Sequence, residues 1–181
     1  MDRKNQFEKG KITKGSTNKV VTNVYYDAFP IEKVRIQNAN YNDKTSIDYY
    51  LDFEDVSLLA ADAASGRLIK EIEAGTKKPY LGGSKSSKNY NGAPESRILS
   101  FAKSNDTIFI NISRGKGKLT ETGAIAPDGK PDLKIGVPVS IDKFRSMFIF
   151  ARDNMIGYFA HMVNKIVKEC ETDRENYQAS N

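Results

Sequence analysis

The sequence predicts an α+β fold in which antiparallel sheets are each followed by a helix, in a coarse twofold repeat. Three observations predict it. Segments such as KVRIQN and TIFINIS alternate apolar and polar residues with period two, as strands with one covered face do. Residues 138–168 instead place Ile141, Phe144, Phe148, Ala151, Met155, Phe159, Met162 and Ile166 at helical spacing. The order reads strands, short helix, strands, long helix, without the crossover rhythm of a parallel sheet.

Residues 1–19 carry Arg3, Lys4, Lys9, Lys11, Lys14 and Lys19 against Asp2 and Glu8, with few apolar side chains to bury. A flexible basic arm is expected there. One domain is expected over 20–169 and a polar tail over 170–181. Strands are expected over 19–26, 33–38 and 45–51, with a turn at 40–43. Val34, Ile36, Ile47, Tyr49 and Leu51 point inward. Asp52 is placed to cap a short helix that ends at Gly66 and turns Phe53, Val56, Leu59, Ala60 and Ala63 to the core.

Residues 76–96, rich in Gly, Ser, Lys and Asn, read as a long basic loop. Strands follow over 97–103 and 107–114, the second with Ile108, Ile110 and Ile112 inward and Phe109 outward. Residues 115–118, GKGK, read as a basic turn, 127–129 as a loop, and 132–139 as the last strand. Ser140 is placed to cap the long helix, and Asp142 to complement its dipole. That helix is apolar on a second side as well, at Met147, Phe150, Ile156 and Val163, and a helix apolar on two sides has to bury both. It is expected to serve the core and an oligomer interface, with Met147, Phe150, Met155, Phe159 and Met162 at that interface.

A chain of 181 residues can build one domain with a substantial core. Its net charge of +5 and pI of about 9.1 fit an anionic partner without establishing one. The single cysteine, Cys170, excludes an intramolecular disulfide and points to a reducing compartment. The first nineteen residues hold no apolar signal region and no apolar run approaches ~18 residues, so neither a secretory signal nor a membrane span is expected.

Catalytic and metal chemistry find no foothold. His161 has no Cys, Asp or Glu three or four residues away with which to share a metal. The run Gly82-Gly83-Ser84-Lys85-Ser86 fails as a phosphate loop, because Ser84 and Pro79 stand where that motif needs glycines. What stands out is a set of basic residues interleaved with aromatics. Between 77 and 118 lie Lys77, Lys78, Lys85, Lys88, Arg97, Lys103, Arg114, Lys116 and Lys118, opposed by Glu95 and Asp106. Single-stranded nucleic acid calls for this combination, with cations along the backbone and rings against the bases.

Three blocks of the chain, taken in order, resemble the Whirly group of single-stranded-DNA-binding proteins and, more distantly, coactivators of the positive cofactor four type. They are DYYLDFEDVSLLAADAASG, RILSFAKSNDTIFINISRGKG and LKIGVPVSIDKFRSMFIFARDNMIGYF, the last with a valine-proline-valine turn into a Phe-rich helix. The resemblance covers about residues 45–159. It implies two antiparallel four-stranded sheets packed crosswise, single strands running over sheet edges, and self-association as a dimer or tetramer through the helices. No organelle transit segment is expected, which points to a bacterial or phage relative, acting in the cytoplasm.

The expected function is therefore binding of single-stranded DNA, or of RNA by a relative of the same fold, with little sequence preference and without catalysis, metal or cofactor. Lys33, Arg35, Arg97, Lys103, Arg114, Lys116, Lys118 and Lys134 are expected to meet phosphate, and Tyr25, Tyr50 and Phe109 to stack on bases. The alternative is a structural or regulatory adaptor that uses the long helix to hold a protein.

Overall fold

The computed structural model describes residues 11–17 and 19–179. Arg3, Lys4, Lys9 and most of the expected basic arm lie outside the described residues. Strands β1 (Lys11–Ser16), β2 (Val20–Tyr25), β3 (Lys33–Asn40) and β4 (Thr45–Asp52) form a four-stranded antiparallel sheet in chain order. Two helices follow, α1 (Phe53–Ser65) and α2 (Arg67–Glu73). The second sheet contains β5 (Tyr80–Ser84), β6 (Glu95–Ser104), β7 (Thr107–Leu119), β8 (Ile125–Pro127) and β9 (Leu133–Ser140). Its central strand β7 pairs antiparallel with β6, with β9 over its first part and with β8 over its last three residues. Helix α3 (Ile141–Ala179) closes the chain. The α+β class with two antiparallel sheets is the expected one, and the second sheet has five strands rather than four.

The alternation read from the sequence fixes the core. Val34, Ile36, Ile47, Tyr49 and Leu51 of the first sheet are buried with Leu99, Ile108, Ile110, Ile112, Ile135, Val137 and Val139 of the second. Into the same cluster go Phe53, Val56, Leu59, Ala60 and Ala63 of α1, Leu68 and Ile72 of α2, and Phe144, Met147, Phe148, Ala151 and Met155 of α3. Inside it, Asn38 of β3 donates from Nδ2 to the backbone oxygens of Ile110 (2.8 Å) and Ile135 (2.9 Å), tying the first sheet to two strands of the second.

Helix α2 and strand β8 were not expected, and the structure departs from the expected elements at five further places. Residues 11–16 are an edge strand rather than part of an arm: β1 is held by backbone pairing to β2, which needs little apolar content. The stretch expected as one loop contains β5, paired to β6, and a short 3-10 turn at Lys88–Tyr90. Residues 115–118 continue β7 instead of turning. There the lack of a side chain matters, because a Cβ on Gly117 would come 3.0 Å from the Ser96 nitrogen and 2.9 Å from Ile125 Cγ2. Asp52 occupies the cap position of α1, yet its side chain makes no cap bond and pairs with Lys33. Finally, α3 runs to Ala179, through the expected polar tail. No Gly or Pro interrupts its last turns, and Lys165 pairs with Glu169 one turn on at 3.8 Å. Ser140 does cap this helix, accepting from the Lys143 N–H at 3.3 Å.

Two of the expected oligomer-interface residues, Met147 and Met155, are buried in the protein's own core and are corrected accordingly. Phe150 and Phe159 are exposed, and Met162 is half-buried. Among the described residues no helix is long and apolar enough to cross a membrane.

Candidate nucleic-acid interface

Each sheet has an edge that no strand covers, β4 on the first and β5 on the second. Between them lies an open cleft of about 480 Å³, lined by Ile31, Lys33, Tyr50 and Asp52 from one side and by Leu81, Ser84 and Arg97 from the other. Tyr49 and the pair Gly82-Gly83 also line it. Gly83 has φ of +145°, and a Cβ there would strike the Glu95 carbonyl oxygen at 1.9 Å. Only glycine lets β5 lie this close against β6. Tyr50 is 41% exposed, and Leu81 and Ile31 more so, an unusual concentration of bare apolar surface beside cations.

Carboxylates engage most of those cations. Lys33 pairs with Asp52, and both side chains remain well exposed. Arg35 grips Asp27 through Nε and Nη2 and reaches Asp48 Oδ1 at 3.2 Å. Burial works to lower the Arg35 pKa, but the bonds and charges of Asp27 and Asp48 outweigh it and leave it raised. Arg97 donates from Nε to Glu95 Oε1 at 2.6 Å and from Nη1 to the Asp48 backbone oxygen at 2.8 Å.

Glu95 is 1% exposed and also accepts from Ser87 Oγ and Asn89 Nδ2, both at 2.9 Å. Burial pushes its carboxyl up, yet the hydrogen bonds from Asn89, Arg97 and Ser87 and the Arg97 charge prevail and hold it below the usual range. Burial, with Asp55 nearby, pushes the Tyr49 and Tyr80 hydroxyls well above their ordinary value, so both rings stay neutral at physiological pH.

From the cleft a basic row continues along β7. Arg114 stands directly opposite Arg97 in the pairing of β6 and β7, and strand alternation carries Lys116 and Lys118 on the same face. Arg114 has no ion pair among the described residues, and its buried Nε has no hydrogen-bond partner. Lys116 is loosely paired with Asp128 at 3.5 Å, and Lys118 is exposed without an ion pair among the described residues.

The structure thus brings together Lys33, Tyr50 and Arg97 in the cleft, with Arg35 behind them and Arg114, Lys116 and Lys118 leading away. It does not bring in the rest. Tyr25 is 3% exposed with the Arg35 guanidinium 3.9 Å from its ring centroid, so its ring has no face for a base, and that expectation is corrected. Lys103 lies six residues along β6 from Arg97, about 20 Å away, and is engaged by Glu73 of α2 at 3.0 Å. Phe109 and Lys134 sit on the outward face of the second sheet, Phe109 half-buried between Ala102 and Pro138 in the strand pairing.

The sequence reading missed Ile31 and Leu81, the apolar walls, and Asp48 and Glu95, the anchors of the arginines. The one signal for Leu81 was an isolated large apolar residue between lysine-rich stretches. Comparison with protein-family models, with curated proteins and with solved structures finds no match in any of the three.

Proposed function

We propose that the protein binds single-stranded DNA, without catalysis and with little sequence preference, in the cleft between β4 and β5 and along the basic row of β7. The observation that carries this reading is the exposure of Tyr50, Leu81 and Ile31 beside Lys33 and Arg97 between two uncovered sheet edges. Unstacked bases offer flat faces to such apolar walls, whereas a duplex keeps its base faces stacked inside. Phosphates have Arg114, Lys116 and Lys118 to follow. The Lys33–Asp52 pair is exposed enough that a phosphate can displace the carboxylate at little cost. The resemblance of the three sequence blocks to Whirly proteins points the same way.

The test is fluorescence anisotropy with a labelled oligonucleotide of about 30 nucleotides, long enough for one or more binding sites, at low and at physiological salt. The probes are single-stranded DNA, duplex DNA and RNA. Binding to single-stranded DNA that survives physiological salt and exceeds binding to duplex is the expected result. A stronger grip on RNA would reassign the ligand to ribose-containing strands. Equal, salt-erased binding to all three would defeat the proposal and leave the adaptor reading.

A further inference from the structure

The distal half of α3 leaves the core and keeps a stripe of large apolar side chains in solvent. Ile156, Phe159, Val163, Ile166 and Cys170 follow one another at intervals of three, four, three and four residues. That is the a/d seam of a coiled coil, and along it Val163 is 57% exposed and Ile166 is 53% exposed. The seam spans about 21 Å of helix at 1.5 Å per residue. Only Phe159 touches the body of the protein through a ring, 5.2 Å from Phe53. A solvated helix of this kind gains its stability from packing, and beyond Phe159 this face meets no core residue among the described residues.

We propose that a second copy of this chain covers the seam, the two α3 helices running parallel and in register from Ile156 to Cys170. The flanking residues select this partner and this direction. With Ile156, Val163 and Cys170 at a, and Phe159 and Ile166 at d, Met162 and Glu169 fall at g and Val167 and Arg174 at e. In a parallel pair each g residue meets the e residue five positions on in the other helix. Met162 then meets Val167 of the second copy, apolar on apolar, and Glu169 meets Arg174 of the second copy, acid on base. An antiparallel pair with a facing d would instead set Asp173 against Ile156 close to the domain body. In the parallel pair Asp173 follows Cys170 and ends the dry stretch, with Arg174 beside it to offset its charge. The inference is independent of the nucleic-acid reading.

The only cysteine of the chain reports the arrangement, because a parallel in-register pair places Cys170 against Cys170 of the other copy. Sedimentation or light scattering of the full chain is expected to give twice the 20.2 kDa chain mass. Copper-phenanthroline oxidation at low protein concentration is expected to convert that dimer to a covalent one on a non-reducing gel. The double variant Val163→Asp with Ile166→Asp is expected to lose both the dimer and the cross-link. Its near-ultraviolet circular dichroism should stay unchanged, since both side chains face solvent in the single chain. A monomeric parent protein overturns the proposal. So does a dimer that Cys170 does not link but that Phe159→Cys, paired with the native Cys170, does, because an antiparallel pair with Asp173 against Ile156 sets position 159 against position 170.

Discussion

Arg97 of the second sheet donates to the backbone oxygen of Asp48 on the first, at 2.8 Å, while its Nε is held by Glu95 at 2.6 Å. One side chain thereby spans the cleft and ties β4, the uncovered edge of the first sheet, to β6 of the second. Arg97→Ala removes both bonds and leaves Glu95, nearly fully buried, without its cation. The expected loss is about 2–4 kcal/mol of stability, read as a lower urea midpoint, and Arg97→Lys should recover part of it.

Acid should act through Glu95. Its folded-state pKa lies below the ordinary glutamate value of 4.5, so its contribution to stability is fully present above that value and is lost as pH falls through the lower, folded one. Urea midpoints measured from pH 6 downward are expected to drop in the acid range. Glu95→Gln should lower stability at pH 6 and flatten that drop. A variant as acid-sensitive as the parent would assign the acid transition to other carboxylates.

Tyr50 and Phe109 separate two routes for a bound strand. Tyr50 lines the cleft and Phe109 lies on the outward face of the second sheet, so Tyr50→Ala is expected to cost about 1–3 kcal/mol of single-strand affinity at every salt concentration. Phe109→Ala should cost much less. The opposite order would move the strand from the cleft onto the outward face.

Lys118 is exposed and has no ion pair among the described residues, whereas Lys103 is engaged by Glu73. Lys118→Ala should therefore reduce the slope of log affinity against log salt by about one unit, and Lys103→Ala should leave it unchanged. Anisotropy titrations across four or more salt concentrations decide between them.

At Gly83 the backbone combines a φ of +145° with a carbonyl oxygen 1.9 Å from where a Cβ would stand. Gly83→Ala is expected to lift β5 off β6, cost about 2–3 kcal/mol in thermal or urea unfolding, and widen the cleft. Gly123, in a turn with open space around it, should accept alanine far more readily despite its own positive φ.

Elements with strict periodicity were legible in the sequence. Ile108, Ile110 and Ile112 turned inward as their spacing required, and Ser140 capped α3 as its position indicated. What escaped were strands built from residues with no apolar signature. β1 and β5 owe their existence to backbone pairing with the next strand, β1 with β2 across a short turn and β5 with β6 across residues 85–94, and local composition carries no trace of that. The site was half legible for a related reason. Arg97 and Tyr50 announced themselves by residue type, but the burial of Tyr25 under Arg35 depends on a cross-strand register that period two alone does not assign. Counting cations also overstated the free charge, because Asp27, Asp48, Asp52 and Glu95 reach their partners only after the chain has folded.

The twin donation by Asn38 has a kinetic consequence. Because one amide of β3 clasps the backbones of both β7 and β9, sliding one sheet over the other would strand two buried carbonyl oxygens and the amide together. The sandwich is keyed from within, and the gap between β4 and β5 has its width before any ligand arrives. For the proposed single-strand ligand this predicts association that follows first-order dependence on ligand up to high concentration, its rate set by encounter and ionic strength rather than by a prior opening of the protein.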